Sequence, residues 1–293
     1  MSKLISIIIP HYKCESGLKK LLDSIFQTLE VDELNELDVI VIDDNSMTQE
    51  TFSHFSRKYG NVSFLRNHSV ISGAGSARNV GLEKAVGEYV LFADSDDFFK
   101  NDWLRVVKLE IRKKTDIVYF PPMSEKDNGE ASDRHKRYCK LVENFTCYGD
   151  DSIRYRFHVP WSKLISRSLI SKNKIYFDEV IASNDVMFSL KVGTTAKSIS
   201  CSDYTIYSVV EREGSLTSSQ DLEKEISRLY VLVRYNSMLK SLRHNEFSIS
   251  LILPLVKILK MSPVKFFECI FTLKEMKVDL IHPHYFFRFL IKR

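Results

Sequence analysis

Short apolar runs alternate with stretches of helical spacing through the first 120 residues, and this alternation constrains the fold more than any other feature. The run Leu4–Ile9 stops at Pro10, as expected of a strand buried on both faces. Leu18, Leu21, Leu22, Ile25 and Leu29 then recur at the spacing of one helical face. LDVIVIDDNS reads as a second strand ending in acids. TFSHFSRKYG reads as a helix with Phe52, Phe55 and Tyr59 on one side and Gly60 as its stop. VSFLR is a third strand, SARNVGLEKAVG a helix closing at Gly87, and EYVLFA a fourth strand. DWLRVVKLEIRKK carries Leu104, Val107 and Ile111 on one side, and DIVYF follows as a fifth strand. The pattern predicts an α/β fold, with parallel crossover units in one mostly parallel central sheet flanked by helices.

Beyond residue 120 the reading is coarser. SEKDNGEASDRHKR, residues 124–137, is polar and charged and predicts a mobile loop. A helix is expected around 160–170, another from Asn184, and a long one from Asp221 to His244 bearing Leu222, Ile226, Leu229 and Val233. Residues 263–293 mix aromatics (Phe266, Phe267, Phe271, Tyr285, Phe286, Phe287, Phe289) with Lys265, Lys274, Lys277, Arg288, Lys292 and Arg293. Such a segment suits a membrane surface, or packing on the rest of the chain or on a second subunit. His282 and His284 flank Pro283 and read as a turn, not metal ligands.

Composition excludes several classes. A net charge of +4 on 293 residues, without a basic stripe, argues against nucleic acid as a partner. Five scattered cysteines without a CxxC pair suggest neither a zinc site nor a disulfide framework, and so a reducing, cytoplasmic compartment. The first apolar run is short and lacks a cleavage site, so no signal peptide is expected. No run of 18 apolar residues predicts a transmembrane helix.

Chemistry concentrates at the strand ends. Asp43-Asp44 and Asp94-Ser95-Asp96-Asp97 fall where parallel sheets bind ligands, at the carboxyl ends of strands. Three carboxylates within four positions repel one another and need an explanation. A calcium loop starting at Asp94 would need glycine and glutamate where Phe99 and Arg105 stand. A phosphatase with an aspartate nucleophile wants its acids after the first strand, which ends in Pro10-His11-Tyr12. Capping the following helix, through Asp97 or Asp102, needs one acid only. A divalent cation bridging a carboxylate and a diphosphate accounts for the cluster best, because Mg2+ and Mn2+ take one or two carboxylates beside substrate phosphates. Gly73-Ala74-Gly75 begins a GxGxxG pattern, but Arg78 holds the third glycine position and no Gly-Lys-Ser/Thr follows. An arginine near the positive end of a helix is mildly unfavourable, and an anionic or polar ligand there would explain Arg78.

Taken in order, PHYK, VIDDNS, GSARNVGLEKAVGEYVLFADSDDFF and SNDVMF resemble the family 2 glycosyltransferases, inverting enzymes with a GT-A fold. The resemblance is dense over residues 3–120 and looser over 155–217. It implies a catalytic domain over 1–218, with a nucleotide-binding half to 120 and an acceptor half after it. A helical C-terminal appendage, 219–293, would be membrane-associating or oligomerising. By position, Pro10 and Tyr12 fall in the nucleotide-sugar pocket, and Asp44 or its neighbour Asp43 matches the acid that binds the base. Arg78 matches an arginine of the base and phosphate pocket. Asp94 and Asp96 fall on the Asp-x-Asp signature, together a metal site for Mn2+ or Mg2+, with Asp96 favoured for the ion and Asp94 for sugar or ribose. Asp185 matches the general base, and Asn184 stands where the family usually has a glutamate. Trp161 matches an aromatic near the acceptor, and Arg212 and Ser215 either close over the diphosphate or form a plain turn.

The implied function is metal-dependent transfer of a hexose or N-acetylhexosamine from a nucleotide-diphosphate sugar, a UDP-sugar by family habit, to a glycan hydroxyl. The implied acceptor is lipid-linked, on a carrier such as undecaprenyl diphosphate, in O-antigen or capsule synthesis at the inner face of the plasma membrane. Two rival readings are a nucleotide-sugar-binding scaffold without catalysis and a sugar nucleotidyltransferase. The second would want a glycine-rich basic loop after the first strand, which PHYKCESG matches poorly.

Overall fold

A computed structural model describes residues 3–211, 221–276 and 278. The nucleotide-binding half predicted above contains β1 (Ile5–His11), α1 (Glu15–Phe26), α2 (Val31–Glu36), β2 (Leu37–Asp43), α3 (Gln49–Lys58) and β3 (Val62–Arg66). It continues with α4 (Ala74–Lys84), β4 (Tyr89–Phe92), β5 (Phe98–Phe99), α5 (Trp103–Ile111) and β6 (Ile117–Tyr119). Next come β7 (Met123–Lys126), α6 (Lys136–Tyr148), α7 (Ser152–Arg156), β8 (Lys163–Ser166) and α8 (Arg167–Lys172). The described chain ends with α9 (Asn184–Thr195), β9 (Ile199–Cys201), β10 (Tyr207–Glu211), α10 (Leu222–Ser241), α11 (Ile252–Met261) and α12 (Pro263–Glu275).

Seven strands form one sheet in the order β3-β2-β1-β4-β8-β6-β9. Only β8 runs against its neighbours β4 and β6; every other pairing in this sheet is parallel. A second sheet of three strands, β5-β10-β7, stands beside it. The apolar runs are continuous because both faces of the large sheet are covered. Ile5, Ile7 and Ile9 pack with Leu18, Leu22, Leu104 and Val107 in one core, whereas Ile8, Ile40 and Ile42 pack with Ala77 and Phe188 in another. The chain turns back across β1, so the crevice between the carboxyl ends of β1 and β4 is the switch point where such sheets hold ligands.

Several expectations change. Residues 160–170 are not one helix: Leu164 and Ile165, both fully buried, lie in β8, and only the part from Arg167 is helical. Two apolar residues between Lys163 and Ser166 carry too little periodicity to tell strand from helix. Part of 124–137 is ordered too, because β7 pairs with β10 and Ser124 Oγ donates to the Ser132 carbonyl. The helix expected to close at Gly87 ends at Lys84, with Ala85 as its extended cap; a Cβ on Gly87 would come within 2.4 Å of the Ser6 nitrogen, so that glycine serves close approach. The long helix from Asp221 is α10, with Asp221 capping the amides of Glu223 and Lys224.

Among the described residues, no helix is long and apolar enough to cross a membrane. On α11 and α12, Leu253, Val264, Phe267 and Phe271 are exposed beside exposed Lys257, Lys260, Lys265 and Lys274. Arg212, Ser215, Lys277, His282, His284, Tyr285, Phe286, Phe287, Arg288, Phe289, Lys292 and Arg293 lie outside the described residues.

Candidate active site

The end of β1 registers Pro10 with Ile42 and His11 with Asp43, and the His11 carbonyl accepts the Asp44 amide at 2.8 Å. The two acids of β2 then part. Asp43 is fully buried, salt-bridged to Arg66 at 2.9 Å, and accepts from Ser46 Oγ at 2.6 Å and from the Ser46 and Met47 amides. Its carboxylate shapes the turn into α3. Asp44 is half-buried at the crevice and accepts from Asn67 Nδ2 at 2.6 Å, an amide shared with Ser76 Oγ of α4. Tyr12 is exposed at the rim, with Lys13 Nζ 5.1 Å from its ring.

Arg78 joins three elements. It is almost wholly buried on α4; Nη2 donates to Asp94 Oδ1 at 2.6 Å after β4, and Nη1 donates to Asn184 Oδ1 at 2.8 Å at the start of α9. Its guanidinium lies 5.3 Å from the Phe177 ring. The polar ligand anticipated from the sequence is therefore supplied at least in part by the protein. The close approach of α4 to α9 depends on Gly75, where a Cβ would sit 2.3 Å from the Asp178 carbonyl and 2.9 Å from Asn184 Cβ. That is what the glycine-rich stretch serves.

Asp185 follows Asn184 on the first turn of α9 and stays partly open. Burial pushes its carboxyl above the ordinary value of 3.8, and the Arg78 charge opposes that rise most strongly. A half-buried carboxylate held up in this way suits proton abstraction.

The three acids after β4 divide their roles. Asp97 is buried; its Oδ1 accepts the Val210 amide at 2.8 Å and its Oδ2 accepts Tyr207 OH at 2.8 Å. The same Tyr207 oxygen accepts the Asp94 amide at 2.8 Å. Burial, then the nearby Asp94 and Asp96, hold the Asp97 carboxyl well above its ordinary range. Asp97 is thus a strut fastening the acidic turn to β10. Neither Tyr207 nor this role of Asp97 was foreseen; the surplus third acid was the one signal available.

Asp94 and Asp96 remain partly open. Among the described residues, no group of three or more His, Cys, Asp or Glu could hold an ion by itself. Two adjacent open carboxylates are nevertheless the hard oxygen set that fits Mg2+ or Mn2+ when substrate phosphates complete the shell. Trp161 is buried, stacked on Tyr207 at 6.0 Å and edge-on to Tyr138 at 5.1 Å. It belongs to the core and presents no open face, so it is not placed to meet an acceptor as the resemblance implied.

Comparison with known proteins finds relatives among glycosyltransferases. The chain is 31% identical over 216 residues to a poly(ribitol-phosphate) beta-glucosyltransferase of Bacillus spizizenii, covering 72% of this chain and 33% of that protein. It is 30% identical over 228 residues to the poly(ribitol-phosphate) beta-N-acetylglucosaminyltransferase TarS of Staphylococcus aureus, covering 75% of this chain and 38% of TarS. The chain therefore spans about a third of the length of these curated relatives. Among solved structures, S. aureus TarS 1–349 in complex with UDP-GlcNAc superposes with a TM-score of 0.62 at 22% identity, covering 88% of this chain and 71% of that one. At this identity the likeness speaks for the fold, and the fold is the GT-A arrangement that the motifs implied. The model of glycosyl transferase family 2 matches residues 6–176, more than half of the chain, and the protein belongs to that family.

Proposed function

We propose that the chain is an inverting glycosyltransferase that moves a hexose or N-acetylhexosamine from a nucleotide-diphosphate sugar to a glycan hydroxyl. The observation that carries this reading is the convergence of Asp94, Asn184 and Arg78 beside Asp185 at the switch point. Asp44 takes the base, with Tyr12 and Pro10 at the rim, and Asp43 acts from behind through the turn it holds. Asp94, oriented by Arg78, takes the sugar or ribose. Asp96, with Asp94 beside it, would hold Mn2+ or Mg2+, which when bound would supply positive charge against the diphosphate. Asp185 takes the proton of the acceptor hydroxyl. That oxygen bonds to the anomeric carbon from the face opposite the nucleotide, and the bond to the diphosphate breaks with its electron pair leaving on the diphosphate. Asn184 fixes Arg78 and so the mouth of the acceptor side, while Trp161 supports that side from beneath.

UDP-sugars are the favoured donors, because a neighbour of the same fold was solved with UDP-GlcNAc. A mannosyltransferase from Pyrobaculum calidifontis of similar fold (TM-score 0.59, 16% identity, 88% of this chain and 72% of that one) was solved with GDP-Man and Mn2+, which supports the ion. Relatives named for poly(ribitol-phosphate) support a bacterial surface polymer as acceptor. Residues 1–218 make up the catalytic domain and 219–293 a C-terminal region that carries α10, α11 and α12. The exposed apolar and basic face of α11 and α12 brings the enzyme to the cytoplasmic membrane surface, where a lipid-linked glycan is presented. The test is incubation with UDP-glucose, UDP-GlcNAc or GDP-mannose and Mn2+. Release of the nucleoside diphosphate supports transfer, and release of pyrophosphate or of nothing contradicts it.

A further inference from the structure

A second ionisable group lies beneath the helix that carries Asp185. Lys163 opens β8 and is 1% exposed, although lysine is almost never buried without a partner. Its ammonium donates to the Phe157 carbonyl at 2.9 Å and to Ser189 Oγ at 2.9 Å, and lies 5.3 Å from the Phe157 ring. Both acceptors are neutral. Ser189 stands one turn after Asp185 on α9, and its hydroxyl donates to the His158 carbonyl at 2.6 Å. The lysine therefore grips α9 just behind the candidate base.

The charges around this pair are few. Asp185 faces Arg78 from α4, Asp94 from the end of β4, Tyr138 from α6 and Lys163 from β8. Arg78 already answers Asp94 and Asn184, so it is shared. Lys163 adjoins His158, which also feels Arg137 and Arg156; burial first, then these cations, hold that imidazole at about 3, so it stays neutral in the working range. Burial draws the Lys163 ammonium down to about 7, and the acid that opposes this is Asp185. With an amide at Asn184, no adjacent carboxylate shares the proton of the base.

We propose that Lys163 is a positioning residue for the reaction: its buried ammonium, tied to α9 through Ser189, keeps Asp185 ionised and in register to accept the hydroxyl proton. The inference rests on Asp185 being the base. It goes beyond the reading above by assigning a function to a side chain that touches neither donor nor acceptor.

The test is the pH dependence of kcat/KM for the full chain, read as UDP release from UDP-GlcNAc with Mn2+ and water as acceptor. Removing the cation from beside Asp185 makes its carboxylate harder to form. In Lys163→Met the acid limb should therefore move up, with most of the rate regained at higher pH. Ser189→Ala keeps the charge and cuts the tether, so its limb should stay in place while the rate falls. If Lys163→Met does not fold, Lys163→Gln carries the same comparison with a side chain that can still donate a hydrogen bond. An unmoved limb in a folded Lys163 variant, with the rate lowered equally at every pH, overturns the proposal and leaves Lys163 a packing residue. Asp185→Asn separates the two claims. Undiminished activity in that variant removes the base itself, and with it the role of Lys163. An inactive Asp185→Asn beside an unmoved Lys163→Met limb defeats the lysine proposal alone.

Discussion

Arg78 and Asp94 are joined by a 2.6 Å salt bridge in which the arginine side chain is 6% exposed and the acid 31%. The cation is locked inside and the carboxylate keeps one side towards the crevice. Because the other arm of the same guanidinium holds Asn184, the sheet end and the start of α9 are set by one planar fork.

Arg78→Lys should therefore be a severe change despite conserving charge, because an ammonium cannot reproduce the fork. The expected result is loss of roughly 1–3 kcal/mol of stability, the cost of leaving a partner of a charged hydrogen bond unanswered. Nucleotide-sugar turnover should fall as well. Chemical denaturation beside a donor-hydrolysis assay checks both, and a variant as stable and active as the parent contradicts the fork.

Gly75→Ala tests the contact between α4 and the segment leading into α9. A methyl group directed at the Asp178 carbonyl must push the two apart, at a cost of about 1–3 kcal/mol. Activity should fall further than the melting temperature alone explains, since Arg78 and Asn184 separate together. Gly73→Ala is the useful contrast: nothing lies within 4 Å of its Cβ, so any cost there comes from the positive φ of 138°.

Tyr207→Phe removes the hydroxyl that serves the Asp94 amide and the Asp97 carboxyl at once. Leaving these buried groups unanswered should cost about 2 kcal/mol. Affinity for Mn2+ with UDP, measured by calorimetry, should weaken because the turn bearing Asp94 and Asp96 loosens. Unchanged ion affinity in a destabilised variant would confine Tyr207 to packing.

His158 predicts an acid-sensitive fold. Its folded value of about 3 lies below the ordinary 6.5, so the unfolded chain takes up a proton that the folded chain refuses. The contribution is intact above pH 6.5 and is lost as pH falls from there towards 3. Over that window the parent should lose stability relative to His158→Gln by up to about 1.4 kcal/mol per pH unit. Urea unfolding at several pH values measures it, and parallel curves for the two proteins contradict it.

The legible part of the fold was the part whose strands are buried on both faces. β1, β2 and β4 announce themselves as apolar runs, and their ends locate the crevice. β8 and β7 were missed for different reasons: one has only Leu164 and Ile165 as apolar residues, too few to show a period, the other is a polar strand made by pairing with the distant β10. At the site, residue types and order pointed to Arg78, Asp94, Asp96 and Asp185, but contacts such as Arg78–Asn184 and Asp94–Tyr207 join residues more than 100 positions apart. The division between Asp43 and Asp44 was not readable, because both faces of β2 are core: Val39 and Val41 lie in one cluster, Ile40 and Ile42 in the other. Tyr207 and Lys163 had no signal beyond being one more tyrosine and one more lysine.

The most direct measurement is UDP release from UDP-GlcNAc with Mn2+ by Asp185→Asn, with UDP binding measured on the same protein. If Asp185 is the base at an otherwise intact donor site, the rate falls by at least about 100-fold while UDP affinity stays near that of the parent. Turnover at the parental rate would show that the carboxylate at the start of α9 does not take the proton, and the assignment built around it would fall.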